Sequence, residues 1–182
     1  NIQLFLNSNK LGYNNIYGDK INLHIQGNSD SVKAQIESDR IHIGGLNLDS
    51  SKVFLGLKDN LLSIKSEYTN TGDLENRLDF TSEVLFTSIG VGHPAIVDLS
   101  ISPSEIFLNG VNWTIGKSKI VFQDSTYVFH DFNLSRENQL LNVDGMISRN
   151  PYDTLSVLIK DLDITPFNSL LNLPLHLQGV LG

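Results

Sequence analysis

Cysteine is absent from this 182-residue chain. No disulfide can staple the fold, and no Cys-ligated zinc site can form. Basic side chains are also scarce: 13 Lys and Arg stand against 20 Asp and Glu, a net charge of −7. A surface of that sign opposes the counterion release that drives most nucleic-acid binding, so nucleic acid is set aside as a partner. No apolar run approaches the ~20 residues that a helix needs to cross a bilayer. The start of the chain lacks the charged and apolar regions of a signal peptide. P-loop, nucleophile elbow, dinucleotide fingerprint and EF-hand loop are all missing.

What is present is alternation. In "KINLHIQG", Ile21, Leu23 and Ile25 are interleaved with Asn22, His24 and Gln26. Successive side chains of a strand point to opposite faces, so this pattern predicts a strand buried on one side. The beat returns at Val32, Ala34 and Ile36, at Ile41 and Ile43, at Val53, Leu55 and Leu57, and at Leu62 and Ile64. It continues at Leu78 and Phe80, at Val84 and Phe86, at Val97, Leu99 and Ile101, and at Val111, Trp113 and Ile115. Between Ile36 and Ile41, "ESDR" reads as a turn. Gly44-Gly45 and Asn109-Gly110 supply the positive φ of two-residue hairpin turns, which sets Leu108 opposite Val111. "SRENQ" (135–139) reads as a hairpin loop. One short helix is expected over "TPFNSLLN" (165–172), with Thr165 as its cap and Pro166 at its first position. Three strands close on glycine, at Gly27, Gly145 and Gly179, a weak internal echo. No linker or charge block divides the chain, so 1–182 reads as one all-β unit, an antiparallel meander of hairpins. It opens on Asn1 and stops inside a strand-like run, which points to a segment of a longer protein.

Catalytic groups are hard to find. His24, His42, His93, His130 and His176 lack the spacing that puts two on one face for a metal, and read as surface residues. His130 and Asp131 are neighbours on a strand and point apart. Asp161 and Asp163 place two carboxylates on one strand face, and a solvated edge or turn entry is favoured over a glycosidase or calcium site. Trp113, the only tryptophan, reads as a core or groove-lining aromatic ahead of a sugar-stacking platform. Phe54 and Phe107 fall off the parity of their apolar neighbours, which leaves them to face outward, cover an edge or contact another part of the whole protein. The reading is therefore a non-enzyme, without cofactor or metal.

From residue 95 onward the order of segments carries a family likeness. "ISPSEIFLNGVNWTIGKSKIVF" leads to "YVFHDFNLSRENQLLNVDGMIS", then "DTLSVLIKDLDITPFNSLLN" and "LPLHLQGVLG". This series resembles the Bacteroidetes branch of the TamB family of translocation and assembly modules, in the AsmA-like superfamily. The stretch ending on Trp113 and the run Asn138, Gln139, Leu141, Val143, Gly145 are its most specific parts. The resemblance implies a segment of a repetitive, inner-membrane-anchored periplasmic protein whose strands curl into an open, apolar-lined β-groove (β-taco). It implies movement of phospholipid between inner and outer membrane, or a scaffold for outer-membrane β-barrel assembly. The expected lining is Ile21, Leu23, Ile25, Val53, Leu55, Leu57, Leu62, Ile64, Val97, Leu99, Val111, Trp113 and Ile115. The expected partners are phospholipid acyl chains or detergent, neighbouring repeats of the same chain and, through parts outside this segment, an outer-membrane barrel. A closed β-sandwich, as an adhesion or carbohydrate-binding module, is the remaining alternative.

Overall fold

The computed structural model describes residues 1–14, 16–43, 46–69, 76–88, 90, 95–108, 110–165 and 179–181. Among these, every regular element is a strand. In chain order they are β1 (Ile2–Tyr13), β2 (Ile16–Gly27), β3 (Ser31–Ile43), β4 (Leu46–Lys58), β5 (Leu61–Thr69), β6 (Arg77–Thr87), β7 (Ile96–Ile101), β8 (Ser104–Leu108), β9 (Val111–Ile115), β10 (Ser118–Gln123), β11 (Thr126–Arg136), β12 (Gln139–Ile147), β13 (Leu155–Lys160), β14 (Leu162–Asp163) and β15 (Val180–Leu181). The first thirteen form one antiparallel sheet, and β14 pairs with β15. Beyond Thr165, the helix expected at 165–172 lies outside the described residues.

Strands that follow in the chain lie side by side in the sheet, as short hairpin connections require. The stretch β7 to β10 obeys the same rule. β7 and β8 both lie along β6, and β9 and β10 both lie along β11. Leu108 pairs with Val111, Ser104 with Ile115 and Ile101 with Ser118, in one unbroken register. The four strands are thus one long hairpin with a step in each leg.

Turn chemistry fixes these registers. Asp59 and Asn60 carry φ of 49° and 64°, and Asp124 and Ser125 carry 46° and 66°. Consecutive left-handed residues have the twist of a type I′ hairpin, and short polar side chains tolerate that backbone best. At the Trp113 hairpin Leu108 does face Val111, and Gly110 sits at φ 75°. Arg136 pairs with Gln139 across the expected loop, with Glu137 at φ 52°. Ile43 pairs with Leu46, while Gly44 and Gly45 lie outside the described residues.

Two local expectations are corrected. "ESDR" is not a turn: β3 continues from Glu37 through Arg40. Gly145 does not close its strand either. It lies inside β12 at φ 113°, where an added Cβ would collide with the Thr154 carbonyl.

Among the described residues buried apolar side chains are few, and all but Ile101 fall into two small clusters. Leu48 and Tyr68 pack with Ile41 and Leu78; Leu108, Trp113 and Leu162 pack with a ring that includes Ile106, Leu134 and Leu141.

Candidate functional site

Paired residues of adjacent strands point to the same side of a sheet, so the registers sort every side chain onto one of two faces. On one face the apolar residues join into rows across the strands. Leu6, Leu23, Ile36 and Val53 form one row. Leu4, Ile25, Ala34, Leu55 and Ile64 form the next. A third passes through Leu57, Leu62, Val84, Leu99, Ile120 and Phe129, and a fourth through Phe86, Val97, Phe122 and Tyr127. Nine of the expected lining residues therefore share this face: Leu23, Ile25, Val53, Leu55, Leu57, Leu62, Ile64, Val97 and Leu99. Phe129 belongs to it as well.

The opposite face is charged. Arg40 pairs with Asp49 at 2.7 Å, Lys20 with Asp39 at 2.8 Å, Lys65 with Glu67 at 2.6 Å and Lys119 with Asp98 at 3.2 Å. Phe54, set between Gln35 and Lys65, lies here, off the apolar face. Phe107 does too, under the Arg77 guanidinium 4.3 Å from its ring. His24 stacks on Phe5 and His42 on Tyr17, with ring centroids 4.3 and 4.1 Å apart.

A device that sequence reading missed keeps the faces unmixed. In several strands the apolar beat skips from two residues to three: Ser8 to Leu11, Gly18 to Ile21, Ser38 to Ile41, Leu48 to Ser51, Ile101 to Ser104, Ile115 to Ser118. Unbroken alternation would send half of each strand to the wrong face. β6 has no skip, and its Leu78 and Ser82 pair with Ile106 and Ile101 on either side of one. Both sides of the step thus remain on one face.

At each step a serine hydroxyl bonds a carbonyl beyond it. Ser8 donates to Lys10 O at 2.8 Å, Ser38 to both Asp19 O and Arg40 O at 2.8 Å, and Ser51 to Leu48 O at 3.1 Å. Ser104 donates to Ser102 O at 2.9 Å, and Ser118 to Gly116 O and Asp131 O at 3.0 Å. Left-handed Lys20, Ser50 and Asp131, at φ 49°, 50° and 50°, mark the same crease on β2, β4 and β11. Serine suits it because the side chain is small and its hydroxyl satisfies backbone carbonyls that the step frees. Ser38, Ser51, Ser104 and Ser118 are all buried.

Beyond the crease the apolar face continues as Leu11, Gly18, Ile41 and Leu48, and then, from Tyr68 packed on Leu48, as Leu78, Ile106 and Trp113. Burial pushes the Tyr68 phenol above its usual pKa. The two ends of this row differ. Leu11 is 58% exposed beside an open depression shared with Ile16, Gly18, Ile21 and Ile36, which is where Ile21 lies. Trp113 is 0% exposed, covered by Leu162 of β14 and walled by Val111. Ile115 pairs with Ser104 and Leu134 at the edge of that cluster. Asn112 and Thr114 are exposed on the far side.

The carboxylates carry no paired site. Asp161 is left-handed at φ 46°, which breaks the alternation on which the pairing with Asp163 rested. Its carboxylate accepts from Asn138 Nδ2 at 3.3 Å. Asp163 accepts from the Thr165 amide at 2.9 Å, and hydrogen bonding to Thr165 holds its pKa below the ordinary value. Among the described residues no group of His, Cys, Asp and Glu could hold a metal ion. No family model, curated protein or solved structure matches the chain.

Proposed function

We propose that this chain is a segment of a periplasmic lipid-conducting protein, in which the sheet curls around its apolar face to make an open trough for phospholipid acyl chains. The observation that carries the reading is a single antiparallel sheet whose apolar rows cross strand after strand while the described residues hold only two small buried clusters. Apolar surface of that extent is unfavourable in water unless something occupies it. An acyl chain gains about 0.8 kcal/mol for each CH₂ it buries, so a continuous dry face is a sufficient conductor and no catalytic group is required. The family likeness beyond residue 95 points to the same use, between inner and outer membrane. Scaffolding of outer-membrane strands is the second reading. It is favoured by β1, a 12-residue edge strand without proline, with one charge, at Lys10, and with Ile2 63% and Phe5 62% exposed.

Photocrosslinking in cells tests the first reading against the second. The probe is placed in the whole protein at Leu23 and Leu55 for the trough, and at Asn22 and Asn112 for its back. Phospholipid adducts are expected at the first pair only. Adducts to nascent outer-membrane protein without lipid select the scaffold, and equal lipid labelling of all four positions overturns the trough.

A further inference from the structure

The apolar row nearest the hairpin that carries Trp113 is uncovered at Leu11 and covered at Trp113. The cover is not part of the sheet. Among the described residues it is the short run Asp161–Thr165, which leaves β13 through left-handed Asp161 and lays Leu162, 6% exposed, and Ile164 against the Trp113 cluster. Among the described residues few bonds hold it there. β14 has two ladder pairs, with Val180 and Leu181; the Asp163 amide donates to Gln139 Oε1 at 3.0 Å, and the Ile164 amide donates to Gly179 O at 3.2 Å. Two apolar side chains of one short run thus lie against the row.

We infer that Asp161–Thr165 is a built-in stopper, occupying at Trp113 the seat that an acyl chain takes when the run lifts. The inference rests on the trough reading and deepens it: the binding surface extends past the crease to Leu108, Trp113 and Leu141, and access to that corner is gated by the chain itself. On the β1 to β3 side the same row needs no gate, and acyl chains reach Ile21 and Ile36 directly.

Trp113, as the sole tryptophan, reports on the seat. Its emission is followed in the purified full chain with fatty acids brominated on the acyl chain, which quench only at contact, and with acrylamide as a water-soluble quencher. In the wild type, Trp113 is expected to resist both. In Leu162→Ala, and in Leu162→Ser with Ile164→Ser, the brominated chain is expected to quench severalfold more strongly while circular dichroism keeps the strand signal. Equal quenching of wild type and variants by the brominated chain overturns the gate. Acrylamide access without acyl quenching in the variants overturns the seat. A Leu55→Trp probe in a Trp113→Phe background separates this idea from its premise. If that probe is quenched while Trp113 stays dark to acyl chains in every variant, the stopper fails and the trough stands; if neither responds, the trough itself fails.

Discussion

A hydroxyl placed beside a skipped beat is the smallest unit on which this sheet depends. Ser38 bonds two carbonyls from two strands and lies against Gly18, whose added Cβ would come within 3.2 Å of its Oγ. Ser38→Val removes the donor and thickens a site with no room, and a loss of about 1–3 kcal/mol is expected from the buried carbonyls left unpaired. Ser100→Val, on the exposed charged face opposite Glu83 and Lys119, should stay within about 0.5 kcal/mol. Urea midpoints of the two variants decide the matter: equal midpoints would mean that the hydroxyl does not hold the crease. The skip itself is visible in the sequence as Ile36, Ser38, Ile41. It reads as a turn because serine and aspartate are turn formers, and only the cross-strand partner, Asp19 O, distinguishes a creased strand from a break.

Asp163 offers a second residue-scale test. Its carboxyl lies below the ordinary aspartate pKa through its bonds to Thr165. Because the folded value is depressed, the stabilisation is complete above the unfolded value of about 3.9 and is lost as pH falls through the lower folded one. The group is solvent-exposed, so the effect is small and screened. Emission from Trp113, under the same stopper, should hold steady from neutral pH to about 4 and shift below it. Asp163→Asn should remove that part of the shift, since an amide keeps the acceptor and loses the titration. An identical acid response in both proteins would detach Asp163 from the stopper.

At the scale of elements, hairpins were the most legible feature. Leu108 opposite Val111 follows from Asn109-Gly110, and the interleaving of apolar and polar residues from Ile21 to Ile25, from Val53 to Leu57, from Leu62 to Ile64 and from Val97 to Ile101 puts the apolar side chains of each run on one face. The Asp59-Asn60 turn offers the sharpest test. Asn60 sits at φ 64° and its carbonyl accepts from the Phe86 amide at 2.9 Å, so one turn ties β4 and β5 to β6. A β-branched side chain in the left-handed region costs about 1–2 kcal/mol. Asn60→Val should lower stability by that amount, and Asn60→Gly should match or exceed the wild type. If thermal midpoints of Asn60→Val and wild type coincide, the turn does not set the register. What hairpin signals could not reveal is how β7 to β10 divide, because the step at Ser102 and Pro103 makes two strands of one leg without changing its partners. Nor could they place β14, whose position over Trp113 depends on contacts between residues almost fifty apart.

At the scale of the molecule, alternation dictates that each strand has one apolar face, and it is silent on what meets that face. A sandwich, a barrel and an open sheet share the same strand pattern, and only the absence of a second layer separates them. That difference has a size. A compact chain of this length has a radius of gyration of about 16 Å. A sheet with strands spaced about 4.8 Å apart and rising about 3.3 Å per residue would, if flat, be about 50 Å wide and about 40 Å long. A thin plate of those dimensions has a radius of gyration of about 19 Å, and curling into a trough brings the value down toward, but not to, that of a sphere. Small-angle scattering from the monomer should therefore give about 17–19 Å, between these limits. A value at the compact limit would mean that the apolar face is closed by the protein itself, leaving no room for an acyl chain and returning the fold to a sandwich.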